Sequence, residues 1–297
     1  MDRLDRLNLF VRVVERRSFS AAASDLKLAR STATEAIKQL EGDLGVRLLD
    51  RTTRHVTPTL DGQAFYQKCL SILSEVEEAE NAFRDAQPRG LLRIDAHPLL
   101  TQRFLLPRLR EFLDRHPLID LQIGQGDRLV DLVREGVDCV IRSGEAEDSG
   151  LIVRKLGAIT EITCASPRYL ADYGTPERPE DLAQHRSVGF LSSRTGQVMP
   201  LDLMVDGKLQ LFQLQSRVTV NNSDTMAELA RLGFGLFQAP RYRLQQDLLD
   251  GTLVEVLPDY LPPPTPLNAL YPQNRHTAPR LRVFLEWVGG IFRDADL

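Results

Sequence analysis

Three sets of residues in this 297-residue chain have the types and spacing to do chemistry, and the catalytic set is the weakest. Five histidines (His55, His97, His116, His185, His276) and three cysteines (Cys69, Cys139, Cys164) are scattered along the chain. No two histidines stand at i and i+4, and no Cys-x-x-Cys occurs, so the spacing suits neither zinc ligation nor a redox pair. Gly124-x-Gly126 is followed by Asp127-Arg128-Leu129 and lacks the third glycine of a dinucleotide loop. Gly189-Phe190-Leu191-Ser192-Ser193 is not a nucleophile elbow. Asp138 and Arg142 read as an ion pair or a pocket element rather than an acid–base couple. Catalysis is not expected, and no cofactor or metal is implied.

The second set is a basic turn. From Val46 to Thr59 the chain reads as two short extended pieces around Arg51-Thr52-Thr53-Arg54, with Pro58 excluding a continuing helix and Thr59 able to cap the next one. Guanidinium groups and hydroxyls on a turn suit phosphate oxygens, the sequence-independent part of DNA affinity. A solvated turn is the alternative. The elements that must position this turn lie just upstream. Leu4, Leu7, Phe10, Val11 and Val14 form one helical face. Ser18 or Ser20 can cap a second helix, and Ser31 a third that runs to about Leu44, with Gly45 at its left-handed end. Two short helices separated by Lys27–Arg30 are the pattern of a helix-turn-helix, or more blandly of a small helical subdomain. A basic hairpin behind them reads as a wing.

Charge agrees with this placement. The first sixty residues hold eleven Lys and Arg against eight Asp and Glu, in a chain whose net charge is −4. From Leu60 to about Ala86 one long helix is expected. In it Phe65, Cys69, Ile72, Val76, Ala79 and Phe83 repeat at heptad spacing. Without a partner inside a small domain, that seam is expected to pair with a second chain; packing on the C-terminal domain is the alternative. Gln87-Pro88-Arg89-Gly90 ends the helix.

Beyond Leu91 short apolar runs (91–96, 118–124, 138–144, 151–157, 161–166, 217–222, 235–240) alternate with helical stretches at 101–115, 127–135, 225–232 and 280–292. This alternation predicts parallel sheets built from β-α-β units. Length predicts two domains or slightly more, at roughly 150 residues each. The composition, 42% hydrophobic and 26% charged, is that of an ordinary globular chain. Neither a membrane-spanning run nor the apolar core of a signal peptide is found, and the three cysteines are few and odd in number. A cytoplasmic protein is expected.

Two stretches resemble LysR-type transcriptional regulators. The first is Leu7-x-x-Phe10-x-x-Val13-Val14-Glu15-x-x-Ser18-Phe19-Ser20-x-Ala22-Ala23-x-x-Leu26. The second is Ile37-Lys38-x-Leu40-Glu41-x-x-Leu44-Gly45-Val46-x-Leu48-Leu49-x-Arg51-Thr52-Thr53-Arg54, followed by Thr59-x-x-Gly62. Downstream, Gly136-x-Asp138-x-x-Ile141-Arg142-x-Gly144, Ala165-Ser166-Pro167-x-Tyr169-Leu170, Pro179-x-Asp181-Leu182-x-x-His185 and Leu232-Gly233-x-Gly235 resemble the family's effector domain.

The resemblance implies an α/β protein with an N-terminal winged helix-turn-helix (1–60) and a linker or dimerisation helix (61–89). A periplasmic-binding-protein-like effector domain (90–297) follows. Its two α/β subdomains are expected at about 90–160 with 266–297, and at about 161–265. The implied partners are duplex DNA, a small-molecule effector, further copies of the chain in a homodimer and homotetramer, and RNA polymerase if the protein activates. No membrane is implied. Arg30, Ser31, Thr32, Thr34 and Lys38 are implied as DNA contacts beside Arg51 and Arg54, while Glu35 departs from the family pattern by placing a carboxylate near phosphates. Phe65, Ile72, Val76 and Phe83 are implied as the dimer seam.

The third chemical set is the effector site. Ligands in linked α/β subdomains sit at carboxyl ends of strands, where helix starts present free N–H groups. His97-Pro98-Leu99-Leu100-Thr101-Gln102 is one such turn, with Leu99, Leu100 and Thr101 as its site residues, and Asn221-Asn222-Ser223-Asp224-Thr225 is another, with Asn222, Ser223 and Asp224. Arg142 and Ser143 end a third strand. One cation and two helix starts predict a small anion such as a carboxylate; the alternative is that these residues only cap helices. A solute-binding protein and a regulator without effector are the rival readings, the first disfavoured by residues 1–90.

Overall fold

The computed structural model describes residues 1–51, 56–81, 87–128, 130–145, 150–273, 278–293, 295 and 297. Arg54 and Phe83 lie outside them, as do Thr52 and Thr53. The chain forms two compact units: residues 1–87 with 131–137 and 277–279, and the remainder.

In the first unit α1 (Arg3–Arg16) opens on a capping box in which Asp2 and Asp5 each accept the other's backbone N–H, at 2.7 and 3.0 Å. Its apolar face buries Leu7, Phe10 and Val11. Ser18, rather than Ser20, caps α2 (Phe19–Asp25). α3 (Arg30–Leu44) begins behind Ala29 without a side-chain cap, so Ser31, expected as that cap, lies in the first turn with its hydroxyl outward. Gly45 ends α3 at φ 69°. β1 (Leu49–Arg51) and β2 (Val56–Pro58) pair antiparallel, Arg51 opposite Val56, and form the expected extended pieces.

α4 (Leu60–Asn81) follows. Thr59 Oγ1 accepts from Gly62 N at 2.9 Å and donates to Arg47 O at 2.7 Å. A Cβ on Gly62 would lie 1.9 Å from Leu48 O, so only glycine lets α4 start this close to the hairpin. The heptad reading of α4 needs correction. Cys69 is fully buried in the core of its own unit, and Phe65 meets Phe10 at 5.4 Å between ring centroids. The helix therefore has a partner within the unit, α1, and only part of the seam faces outward, as Ile72 does at 40% exposure.

The second unit has two lobes. The larger sheet is built from β3 (Gly90–Ala96), β4 (Ile119–Gln125), β5 (Cys139–Ser143) and β6 (Leu151–Ile159). Helical turns α5 (Pro98–Leu100) and Thr101–Leu105 lead into α6 (Leu106–Arg115) between β3 and β4, and the single turn α7 (Leu132–Glu135), which belongs to the first unit, precedes β5 in the chain. Lobe two holds β7 (Glu161–Ala165), α8 (Pro167–Tyr173), β8 (Gly189–Phe190), β9 (Leu201–Val205), β10 (Lys208–Phe212), β11 (Thr219–Val220), α9 (Ser223–Arg231), β12 (Phe237–Pro240), α10 (Arg241–Asp250) and β13 (Val254–Val256). β14 (Thr265–Pro272) then returns the chain to the larger sheet and α11 (Pro279–Arg293) closes it.

The larger sheet has the order β4-β3-β5-β14-β6. β3 runs parallel to β4 and β5, but the returning β14 is antiparallel to β5 and β6. The smaller sheet, β12-β7-β13, is antiparallel throughout. The expectation of wholly parallel sheets fails because the chain crosses to the second lobe and comes back: a strand entering from the other lobe runs against those of the β-α-β units. The periodicity also missed α8, α10 and the hairpin of β9 and β10. That hairpin has a signature the pattern reading passed over, Asp206-Gly207, with φ of 50° and 73° in a two-residue turn. Among the described residues no helix is long and apolar enough to cross a membrane.

Candidate functional site

On α3 the sequence sorts itself by helical period. Ala33, Ala36, Ile37 and Leu40 are buried, while Arg30, Ser31, Thr32, Glu35 and Lys38 are exposed. Arg30 and Lys38 form no ion pair with a described residue, so two cations stand free on the outward face, with hydroxyls between them. Thr34 is half-buried and donates its hydroxyl to Arg30 O at 2.9 Å, which leaves only its oxygen lone pairs for a partner. Glu41, at the far end of the same helix, accepts from Leu48 N at 2.9 Å and Leu49 N at 3.1 Å. This carboxylate fixes where the hairpin leaves α3, and spacing alone did not single it out. Arg51 stands at the end of β1, the strand that leads to the basic turn.

The second constellation lies where the two lobes of the second unit meet. His97, just past β3, accepts from Leu99 N at Nδ1 (3.2 Å). That bond leaves Nε2 as the protonated ring nitrogen, and it faces Asp127 Oδ1 and Ser223 Oγ, each at 2.9 Å. Ser223 in turn gives Asp127 its backbone N–H at 3.0 Å and its hydroxyl at 3.1 Å. Serine, histidine and aspartate meet here, yet not as a nucleophilic triad. The imidazole offers Ser223 no lone pair, and the hydroxyl proton already points at the carboxylate. Burial pushes the Asp127 carboxyl up, but the bonds from His97 and Ser223 more than offset this and hold it below the usual carboxylate range.

Arg142, at the end of β5, pairs with Asp95 and not with Asp138. Asp138 instead accepts from Arg93 N at 2.8 Å and lies 3.8 Å from Arg280. Burial pulls the Arg142 guanidinium down, and Asp95 opposes that pull. Gly124 makes room for the pair, since a Cβ there would come within 2.5 Å of Asp95 Oδ2.

The expected effector residues are thus close together but mostly engaged. Asn222 Oδ1 caps α9 through Thr225 N at 2.9 Å, and Asp224 pairs with Arg243. Leu100 and Thr101 are fully buried, and the Thr101 hydroxyl donates to His97 O at 3.1 Å, so it is turned into its own helix instead of the cleft. Leu99 is half-buried and Ser143 exposed. Both features that predicted an anion, the Arg142 cation and the start of α9, are met by carboxylates of the chain itself. Asp95 and Asp127 were not picked out from sequence, because lone polar residues after strands carry no spacing signal; His97 opened one of the two expected strand-to-helix turns, without a role assigned to its side chain.

Comparison with known proteins agrees with both halves of this geometry. Residues 4–63 match the family described as "Bacterial regulatory helix-turn-helix protein, lysR family", and residues 85–292 match "LysR substrate binding domain". An HTH-type transcriptional regulator of Escherichia coli (strain K12), YhjC, is 38% identical over 99% of both chains. Among solved structures, CrgA of Neisseria meningitidis, a LysR-type transcriptional regulator, is 32% identical with a TM-score of 0.59, over 97% of this chain and 98% of its own. The Vibrio cholerae virulence activator AphB, solved at full length, is 29% identical with a TM-score of 0.60, over 97% and 99%.

Proposed function

The chain belongs to the LysR family, DNA-binding transcriptional regulators with an effector-binding domain, and we propose that it reads duplex DNA through the outward face of α3 and answers to a small molecule held between the lobes of its second unit. One observation carries the DNA reading: Arg30, Ser31, Thr32 and Lys38 stand exposed on α3, away from the side that buries Ala33, Ala36, Ile37 and Leu40. In this reading Arg30, Ser31, Thr32 and Thr34 meet base edges or phosphates, Lys38 and the wing residues Arg51 and Arg54 meet phosphates, and Glu35 sits among them as a selector against some sequences. Residues 1–60 act as the DNA-binding domain, 61–89 as the linker, and 90–297 as the effector domain with subdomains divided near 160 and 266.

A dimer forms through α4, with Ile72 and Val76 on its seam and Phe65 at the rim; Phe83, the fourth seam residue expected from sequence, lies outside the described residues. A groove of about 700 Å³ lined by Leu4, Leu44, Phe65 and Ile72 supports that placement. Dimers then pair into tetramers, the protein acts in the cytoplasm, and RNA polymerase is a partner where it activates. The effector cleft is framed by Leu99, Ser143 and the Arg142–Asp95 and Asp127–Ser223 contacts, with Leu100, Thr101, Asn222 and Asp224 holding its walls. The test is retardation of duplex DNA from upstream of the gene. Full-length protein should bind it, and Arg30→Ala or Lys38→Ala should weaken binding at least tenfold without lowering the melting temperature. Unchanged affinity in both variants removes α3 from the contact.

A further inference from the structure

The buried residues Ala33, Ala36, Ile37 and Leu40 define one side of α3. At 3.6 residues per turn, Ser31, Glu35, Lys38 and Gly42 fall within about 30° of the line opposite that side. All four are exposed. They form the crest of the outward face, with Arg30 and Thr34 on one flank and Thr32 and Gln39 on the other. A Cβ added to Gly42 would meet nothing within 4 Å, so the far end of the crest is open.

A carboxylate stands near the middle of this crest, and it differs from its neighbours in having no task. Glu15, Asp25 and Asp43 pair with arginines at 3.2, 2.7 and 2.7 Å. Asp2 and Asp5 cap α1, and Glu41 holds the hairpin. Glu35 is the one acidic residue from Asp2 to Asp43 without a hydrogen bond or ion pair to a described residue. The i+4 position, where a cation would best neutralise it, is Gln39. Lys38 lies one turn on and leaves the carboxylate unbound.

The major groove is about 12 Å wide and a helix with its side chains about 10–12 Å across, so in the groove the flanks face the phosphate walls and the crest faces the base edges. A recognition helix meets base edges with its N-terminal residues, which on this crest are Ser31 and Glu35. Phosphates of both strands repel a carboxylate there, and only an accepted hydrogen bond offsets that repulsion. An ionised carboxylate has no proton to donate. Guanine N7 and O6, adenine N7 and thymine O4 are acceptors, so the available donors are the amino groups of cytosine N4 and adenine N6. Adenine carries N7 beside its amino group, which repels the second carboxylate oxygen. Cytosine has only a C–H there. Cytosine is the base that suits a carboxylate.

We propose that Glu35 is a specificity-determining residue that accepts a hydrogen bond from a cytosine N4 amino group, so that the DNA under each α3 contains a C·G pair selected by this side chain. This rests on the reading of α3 as the DNA-contacting helix and adds to it the base that is read.

The test selects duplexes from a randomised pool with full-length protein, unmodified and as Glu35→Gln and Glu35→Ala. Unmodified protein should enrich sites with a fixed C·G pair, and replacing that pair by T·A in an enriched duplex should weaken binding about tenfold. Glu35→Gln should move the preference at that position alone to adenine, whose N6 and N7 a carboxamide meets together. Glu35→Ala should accept any base there and keep its preferences elsewhere. If Glu35→Ala fails to fold, the near-isosteric Glu35→Gln decides the matter by its shift to adenine. The same consensus in all three proteins overturns the proposal. So does a Glu35→Ala protein that binds every sequence more tightly with unchanged preferences, since the carboxylate then only repels DNA. Either result removes the base assignment alone, whereas unmodified protein that retains no duplex removes the DNA reading of α3 with it.

Discussion

The carboxylate of Asp127 takes both the backbone N–H and the hydroxyl of Ser223, at 3.0 and 3.1 Å. Asp127 follows β4 of the larger lobe and Ser223 starts α9 of the smaller one, so a single side chain bridges the lobes and supplies the negative charge that a helix start favours. A ligand that moves one lobe against the other must strain or break this bridge.

Asp127→Ala should destabilise the second unit by about 1–3 kcal/mol, because it strands the Ser223 N–H and a half-buried hydroxyl. The sign of its pH dependence follows from the lowered carboxyl. Its contribution is fully present above the unfolded carboxylate pKa and is lost as pH falls through the lower folded value. Melting curves from pH 7 to pH 3 should show the gap between wild type and variant closing at the acid end. A gap that widens there contradicts the assignment.

Glu41→Ala should lower DNA affinity about tenfold, equivalent to ~1.4 kcal/mol, by releasing the Leu48 and Leu49 N–H groups that set the hairpin's exit from α3. Circular dichroism should show the helices intact. Full affinity in the variant means the hairpin is held by other contacts.

Arg51→Ala should weaken binding to every sequence alike and flatten the plot of log affinity against log salt by about one unit. Thr34→Ala should instead alter the preference between operator variants, since it removes the oxygen that remains open to a base edge. An unchanged salt slope takes Arg51 out of the phosphate contacts.

Val76→Glu places a charge on the outer part of α4, where the proposed seam would bury it unpaired at a cost of several kcal/mol. Sedimentation should show dissociation and retardation should show weaker DNA binding. A variant that remains dimeric locates the interface elsewhere. Cys69→Ser, in contrast, should act through the core of a single chain, because Cys69 is fully buried there and burial pushes its thiol up to about 12.

The sequence by itself determined the elements whose signals are local. Ser18, Gly45 and Thr59 mark helix ends because caps act within three or four residues, and Asp2 and Asp5 do the same at the start of α1, although the sequence reading passed over them. The apolar period on α1 and α3 specifies which side of each helix is buried. The order of helices, hairpin and long helix pointed to DNA binding, and the resemblance of the motifs between Leu7 and Gly62 pointed to the family.

Partnership was decided by tertiary structure. The spacing of Phe65 and Cys69 does not say whether their seam meets another chain or α1, and the chain's path chose α1 for both. Sequence placed Arg142 four residues from Asp138, but strand alternation puts residues at such spacing on the same face without making them partners. The neighbouring strand supplied Asp95, 47 residues away. The charge of the cleft followed the same logic. Arg142 and the start of α9 look like anion sites in a linear reading, and only folding brings Asp95 and Asp127 onto them. Caps and periods are short-range and written in neighbouring residues, whereas electrostatic balance at a site sums over charges that the chain brings together from far apart.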